Sequence, residues 1–286
     1  MKRANFSTLQ IPRCTAIPLF TPSLMASKTC KEHGMNQQQQ LQHYVLRLGD
    51  TPLILAQRLC EWCGHAPEIE IDLALSNIGL DLLGQARNFL SYAAELKGAG
   101  CNEDKLAYLR DEREFSNLLL VEQPNGGFND TLVRQFFIDA YHVPLYSALT
   151  QSRDPQLAAI AEKSLKEALY HLRFSRNWIV RLGDGTAQSQ QKIQQSIHRL
   201  WRFTGELFHG DEIEIDLSEA GIAVDPRALR DVWLQTVTET LEEATLTLPE
   251  QAAYRLGGKQ GSHTEHLGLI LTQLQFVQRA YPNSQW

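Results

Sequence analysis

Hydrophobic residues recur at helical spacing along most of this chain, whereas the alternation typical of strands is short and rare. The first predicted helix spans residues 37–63, and its apolar side includes Val45, Leu55 and Leu59. Pro52 falls inside this helix and is expected to kink or interrupt it, because proline cannot donate the helical hydrogen bond. The pattern therefore predicts an all-α protein.

The second predicted helix spans residues 67–97. Between residues 73 and 90 it is apolar on nearly every face, and the main polar exceptions are Asn77, Asp81 and Gln85. A helix that is apolar all round is typical of a position covered on every side. We therefore expect this helix to be fully buried, as the central member of a bundle.

Further helical patterns follow to the end of the chain, separated by short breaks rich in glycine, proline and asparagine. The predicted spans are 104–120, 130–150 with a kink at Pro144, 155–182, 189–208, 225–246 and 262–279. Long helices joined by short turns predict a ferritin-like antiparallel helix bundle with additional C-terminal helices. We assign residues 35–286 to this one helical domain.

Residues 1–34 differ from the rest, because they hold five basic residues, one acidic residue and three prolines without helical periodicity. The shortage of acidic residues is also a feature of transit peptides. We expect instead an N-terminal extension that is disordered, with Met35 as the start of the folded protein. The chain has a net charge of -6 without a basic stripe, which argues against nucleic-acid binding. It also lacks an apolar run of the length needed to span a membrane.

Cys60 and Cys63 form a C-x-x-C pair. Zinc would require a second pair of ligands at suitable spacing, and a thioredoxin-like redox site would require a βαβ context. The sequence provides neither. We therefore interpret the two cysteines as small apolar residues packed inside the protein.

Helical bundles of this size often hold a carboxylate-bridged di-iron centre, which requires Glu-x-x-His on each of two helices and a further Glu from each of two others. The second predicted helix contains no histidine, and its central carboxylate, Asp81, is followed three residues later by Gly84. The helix at 155–182 has Glu167 and His171, which are four residues apart instead of three. One half of such a site is therefore missing and the other half is altered.

Other pairs of residues have metal-ligand spacing but no convergent partners. They are Asp139 with His142, Glu206 with His209, and His263 with His266, with Glu265 between the last two. Isolated pairs of this kind arise by chance, so we interpret these histidines as hydrogen-bonded or solvent-facing. The glycine-rich run at 257–261 lacks the preceding strand of a phosphate loop and is interpreted as a flexible turn. The roles of His263, Glu265 and His266 stay open.

Several segments resemble the C subunit of the bacterial phenylacetyl-CoA epoxidase family, the ring 1,2-epoxidase of phenylacetate degradation. They occur in order across residues 35–286. The segments are Arg58-Leu-Cys-Glu-Trp-Cys-Gly-His-Ala-Pro67, Asp72-Leu-Ala-Leu75, Gly79-Leu-Asp-Leu-Leu-Gly-Gln-Ala86, Lys166-Glu-Ala-Leu-Tyr-His-Leu-Arg173, Arg181-Leu-Gly-Asp-Gly-Thr186 and His263-Thr-Glu-His-Leu267.

The resemblance implies a place in a cytoplasmic multicomponent oxygenase that uses O2 and NADPH. In that family the ferritin-like A subunit is catalytic and binds the iron, and a reductase subunit delivers electrons. The C subunit pairs with this catalytic subunit as a structural partner, without a cofactor of its own. Phenylacetyl-CoA would lie only near the partner's site, and this chain would not be an enzyme by itself.

The family's catalytic motifs can be aligned with the second and fourth helices of the bundle. The alignment puts the ligand positions at Leu82 and Gln85 on the second helix and at Ala168 and His171 on the fourth. Of these four aligned positions, His171 alone has the residue type that the family's catalytic motif uses as a metal ligand. The resemblance therefore implies a degenerate metal site and a non-catalytic structural subunit.

Two other functions remain open from the sequence. The first is a divergent ferritin-like oxygenase with its own weak metal site, built from Asp139, His142, Glu167 and His171. The second is a stand-alone helical protein that binds a ligand.

Overall fold

The computed structural model describes residues 35–250, 253–282 and 284, and the expected disordered extension at 1–34 lies outside them. Within the described part the regular structure is helical and contains no strand. The all-α prediction is confirmed. Along this same part, no helix combines the length and the apolar character that crossing a membrane would require.

Four long helices form the bundle, and shorter ones pack around it. In chain order the helices are α1 (Gln37–Trp62), α2 (Ile69–Lys97), α3 (Glu103–Tyr108), α4 (Phe128–Leu149), α5 (Pro155–Gly183), α6 (Ala187–Trp201), α7 (Glu212–Glu219), α8 (Arg230–Glu243), α9 (Glu265–Leu274) and α10 (Phe276–Ala280). Short 3-10 turns lie at Glu112–Glu114, Thr204–Phe208, Pro226–Leu229 and Gly258–Gln260. Helix α1 packs along α2, α4 packs along α5, and α2 also contacts α5.

At two of the long helices, α1 and α5, the N-cap side chain satisfies an unpaired N–H group of the first turn. Asn36 and Gln39 form a reciprocal capping box at α1. Asp154 caps α5 by accepting a hydrogen bond from the backbone N–H of Leu157, with Pro155 in the first turn. Pro52 and Pro144, at which the sequence predicts a kink or a break, lie within continuous helices. Neither proline therefore interrupts its helix.

The C-terminal helices attach to α4 through an aromatic cluster. Phe137 of α4 contacts the rings of Trp201 and Trp233 at centroid distances of 5.8 and 5.7 Å. The indole N–H of Trp233 also donates to the backbone oxygen of Phe137 at 2.9 Å. This cluster extends the bundle core towards α6 and α8. These two helices are among the additional C-terminal helices that the sequence predicts.

The predicted burial of α2 on all sides is wrong. Its inner face contacts α1 and α5, and Ile78, Leu82 and Phe89 of this helix are fully buried. Its outer face is open, and Leu73 and Leu80 on it are exposed. The apolar pattern predicts a core position, but no other element of the described chain covers this side of the helix.

The predicted helix at 104–120 is also wrong beyond Tyr108, where α3 ends. After this point side chains from other elements hold the backbone in an irregular path. Asp50 of α1 pairs with Arg110 and accepts from the N–H of Ser116 at 2.9 Å. Arg58 donates to the backbone oxygen of Glu122 at 2.6 Å. Contacts of this kind, remote in sequence, override the local helical pattern.

Two smaller predictions need correction at the ends of helices. Cys60 and Cys63 are exposed instead of buried, because α1 ends here on the outside of the bundle. The helix predicted at 189–208 divides into α6 and the 3-10 turn at Thr204–Phe208. In that turn Glu206 is buried and accepts backbone N–H groups from distant segments, which fixes a tighter path than a continuing helix.

Candidate functional site

His171 of α5 faces α2 in the interior of the bundle. Its Nε2 lies 3.1 Å from Oδ2 of Asp81, whose side chain is 41% exposed while that of His171 is 1% exposed. Burial lowers the pKa of His171, although the hydrogen bond and charge of Asp81 act in the opposite direction. The ring is therefore neutral at neutral pH and donates from Nε2 to Asp81. Its buried Nδ1 has no hydrogen-bond partner in the described chain.

Gln85 of α2 occupies the neighbouring position and bridges two helices. Its Nε2 donates to Oε2 of Glu167 at 2.9 Å, and its Oε1 accepts from the hydroxyl of Tyr146 at 3.2 Å. Burial raises the pKa of Glu167, which the hydrogen bond from Gln85 partly offsets and the charge of Asp81 reinforces. The amide therefore satisfies polar groups of α4 and α5 without carrying a charge.

Leu82 and Ala168 lie in the core on the same two helices, α2 and α5. Both are buried, with 0% and 1% of their surface exposed. Neither side chain has an atom that can bind a metal, and each packs as part of the continuous hydrophobic core. The four predicted metal-ligand positions therefore hold two apolar side chains, one amide and one neutral imidazole.

Asp139 and His142 line the α4 side of this interior. Asp139 accepts from Nε2 of Gln135 and from the hydroxyl of Ser175, both at 2.7 Å. Burial raises the pKa of Asp139 to about 8, although these hydrogen bonds act to lower it. Burial and the neighbouring His171 lower the pKa of His142 to about 3. Both groups are therefore predominantly uncharged at neutral pH.

The four residues of the divergent-oxygenase hypothesis do share one interior region. The ring of His142 stacks on Tyr146 at a centroid distance of 4.9 Å, and Tyr146 leads through Gln85 to Glu167. Nothing in the sequence selects Tyr146 or Ser175, because single hydroxyl groups within helices carry no spacing signal. Across residues 35–250, 253–282 and 284, no three His, Cys, Asp or Glu side chains come together in a way that could hold a metal ion.

The other predicted pairs are separate from this region. His263 is hydrogen-bonded, with Nδ1 at 3.0 Å from Glu122 and Nε2 at 2.8 Å from the backbone oxygen of Phe115. Glu206 accepts three backbone N–H groups, while Glu265 is exposed and His266 half-buried. The structure therefore gives His263 a structural role and does not place His209 or His266 in a cluster.

The glycine-rich run at 257–261 is a turn built around carboxylates. The N–H groups of Gly257 and Gly258 donate to Oε1 of Glu206 at 2.9 and 2.7 Å. Lys259 forms a buried ion pair with Glu214 at 2.9 Å. The prediction of a turn is confirmed, and because carboxylates occupy these donors they do not form a phosphate site. The turn is anchored rather than flexible.

Comparison with known proteins identifies the family. A sequence profile of the family described as phenylacetic acid catabolic protein matches residues 25–286. The chain belongs to this family. It is also 67% identical over 247 residues to the C subunit of 1,2-phenylacetyl-CoA epoxidase from Escherichia coli (strain K12), and the match covers 86% of this chain and 99% of that relative.

Membership of the phenylacetic acid catabolic protein family confirms the resemblance drawn from the motifs and the ferritin-like helical fold. In this member of the family, the residues at the predicted metal positions do not fit a pair of iron ions. Such a centre needs several carboxylates and two imidazoles, and the positions hold Leu82, Gln85, Ala168 and His171. Hydrogen bonds of Gln85, Tyr146 and Ser175 join the helices here instead.

Proposed function

We propose that this chain is a non-catalytic structural subunit of a cytoplasmic phenylacetyl-CoA epoxidase, and that it pairs with and supports the di-iron catalytic subunit. The identity of 67% to the C subunit of the Escherichia coli epoxidase supports a place in this complex. In the same proposal the reductase and other epoxidase subunits complete the oxygenase, which uses O2 and NADPH. Phenylacetyl-CoA is bound near the partner's site, and this chain holds no cofactor.

The observation that carries the non-catalytic role is the chemistry of the interior between α2, α4 and α5. Leu82 and Ala168 provide no ligand atoms, and Gln85 uses its amide to join Glu167 and Tyr146. The buried carboxyl group of Asp139 on α4 is held by hydrogen bonds from Gln135 and Ser175. The bundle is therefore built to be stable without a metal.

Iron analysis of the separately purified chain tests the absence of a metal centre. We expect less than a tenth of an iron ion per chain, together with no conversion of phenylacetyl-CoA when a reductase and NADPH are supplied. Bound iron near two per chain, or turnover by this chain alone, would establish the divergent-oxygenase hypothesis in place of the structural role.

Co-expression tests the supporting role. We expect the catalytic subunit to be less soluble or inactive when it is expressed alone, and co-expression with this chain to restore soluble protein and epoxide formation. A control chain with Glu219→Gln, a change at the end of α7, should restore both equally well. Full solubility and activity of the catalytic subunit in the absence of this chain would show that the support is not needed.

A further inference from the structure

A small cavity lies where α1, α4 and α7 meet, and the irregular segment after α3 and the Gly258–Gln260 turn complete its wall. Its volume is about 30 Å³, which is room for about two water molecules. Leu48, Leu118 and Leu145 make part of the wall apolar, and the four aligned metal-ligand positions do not line it. An apolar pocket with a few polar groups is the usual form of a small binding site.

Two buried side chains of α1 that line this cavity have unused hydrogen-bond donors. Arg47, whose side chain is 10% exposed, pairs through Nη2 with Oδ2 of Asp211 at 2.6 Å, while its buried Nη1 has no partner in the described chain. The hydroxyl of Tyr44, which is 3% exposed and lies three residues earlier on the same helix face, also has no acceptor there. Leaving such buried donors unpaired is costly, so a bound group that accepts from both would stabilise the fold.

The carboxylates beside the cavity already have partners. Both oxygens of Glu214 accept from Nζ of Lys259, at 2.9 and 3.0 Å. Asp211 accepts from Arg47 and, through its other oxygen, from the backbone N–H of Glu214 at 3.1 Å. The charge of Lys259 is thus matched by Glu214, whereas Arg47 has spent only one of its two terminal nitrogens.

A surplus of donors favours an anion over water in this cavity. A water molecule brings two hydrogens that need acceptors of their own, whereas an anion only accepts. Hydrogen bonds from a guanidinium group to an anion are also stronger than those between neutral groups. Tyr141 of α4 lines the same cavity and adds a further hydroxyl group. The volume admits a single monatomic ion and is too small for sulfate or phosphate.

We propose that this cavity binds one halide ion, chloride in the cell, through Nη1 of Arg47 and the hydroxyl of Tyr44. The ion completes a network that connects three parts of the chain. Arg47 already joins α1 to Asp211, the N-cap residue of α7, and Lys259 joins α7 to the Gly258–Gln260 turn. An accepting ion beside Arg47 therefore stabilises the packing of α7 and this turn on the bundle. This site is independent of the proposed role in the epoxidase.

Thermal unfolding of the full chain in sodium chloride and in sodium gluconate tests the site in solution. Both salts screen surface charges equally at the same ionic strength, but gluconate is too large to enter the cavity. A ligand that binds only the folded chain raises its melting temperature in proportion to the logarithm of occupancy. We expect the melting temperature to rise as chloride replaces gluconate and the rise to saturate within the slope set by one site.

Two matched tyrosine variants locate the effect. Tyr44→Phe removes the hydroxyl oxygen from the cavity and keeps the ring, so the chloride concentration needed for a given stabilisation should rise at least about tenfold. In gluconate this variant should be at least as stable as the wild type, because a buried hydroxyl without an acceptor has gone. Tyr170→Phe makes the same change on α5, at a side chain that is 41% exposed, and should respond to chloride like the wild type.

Anomalous diffraction from crystals of the chain soaked in sodium bromide shows the position of the ion directly. We expect one peak within hydrogen-bond distance of both Nη1 of Arg47 and the hydroxyl oxygen of Tyr44. Three outcomes would overturn the assignment. They are a cavity that holds only water in bromide, a melting temperature that is the same in chloride and gluconate, which would mean binding at crystal concentration only, and an equal chloride response of Tyr44→Phe and the wild type, which would place the ion elsewhere.

Discussion

Asp139 is a buried carboxyl group held by two neutral donors, Gln135 and Ser175. Its pKa is raised to about 8 in the folded chain, mainly by burial, while the unfolded value stays near the ordinary 3.8. Between these two values the folded chain binds more protons than the unfolded chain. The contribution of this group to stability is therefore present below pH 4 and is lost as the pH rises towards 8.

Replacement of Asp139 by asparagine removes this titration and keeps the shape of the side chain. We expect the stability of Asp139→Asn relative to the wild type to improve from pH 5 to pH 8, by at most about 1.4 kcal/mol per pH unit. Urea denaturation of both proteins at pH 5, 6.5 and 8 measures the difference. A difference that stays constant over this range would mean that Asp139 is ionised throughout.

The residue identities at the candidate site are predictable from the sequence, but their partners are not. The alignment of motifs selects Gln85 and His171 from their positions in sequence, and the structure places both between the bundle helices. That Asp81 meets His171 and Glu167 meets Gln85 depends on the register of α2 against α5. Spacing along one helix carries no information about register between two, so these contacts require the structure.

At the scale of elements, the irregular segment after α3 is held by buried side chains from distant parts of the chain. Glu206 accepts the backbone N–H groups of Leu119, Gly257 and Gly258 at 2.6, 2.9 and 2.7 Å. One carboxylate thus joins two loops to the 3-10 turn after α6. A sequence pattern shows none of this, which is why the helix predicted through residue 120 is wrong.

Glu206→Gln tests this junction. The amide group replaces one acceptor oxygen by a donor that faces a backbone N–H group, so at least one buried N–H loses its partner. We expect a loss of roughly 1–3 kcal/mol in the free energy of unfolding. Glu219→Gln, at the end of α7, should change it by less than about 0.5 kcal/mol. Chemical denaturation measures both, and equal stability of the two variants would show that Glu206 is dispensable.

His263 connects the start of α9 to the same irregular segment. Both of its ring nitrogens face acceptors, Glu122 and the backbone oxygen of Phe115, and the side chains of His263 and Glu122 are fully buried. Burial lowers the pKa of His263, but the two hydrogen bonds and the nearby carboxylates together outweigh burial and raise it. Protonation therefore stabilises the fold, and this contribution is lost as the pH rises above 6.5 through the raised value.

His263→Gln should consequently be more damaging in acid than in base. At pH 6 we expect a loss of roughly 3 kcal/mol, as for the removal of one partner from a buried ion pair. At pH 9 the loss should be smaller, because His263 of the wild type is then deprotonated and no longer contributes this stabilisation. Thermal or urea unfolding of the two proteins at these pH values gives the comparison, and a larger loss at pH 9 would contradict a protonated His263.

For the whole molecule, the helical bundle is predictable from the sequence and the environment of α2 is not. The periodicity of residues 73–90 correctly indicates that nearly all sides of α2 are apolar. It predicts burial within one chain, whereas the structure leaves Leu73 and Leu80 exposed. Periodicity alone does not distinguish apolar positions that are covered within the chain from apolar positions that remain on its surface.

Backbone amide hydrogen exchange, compared between the free chain and its complex, can locate the surface that a partner covers without any amino-acid substitution. Covering an apolar face suppresses local opening of the helix beneath it, and a tenfold slower exchange corresponds to about 1.4 kcal/mol. Under the proposed pairing with a catalytic subunit, we expect at least tenfold slower exchange in the part of α2 from Ile69 to Leu83, where exposed apolar side chains lie. Helix α6, which packs against α4 and α5, serves as the internal control and should exchange at an unchanged rate. Slower exchange confined to α9 and α10, with α2 unaffected, would instead place the catalytic subunit on the patch that contains Leu269 and Phe276.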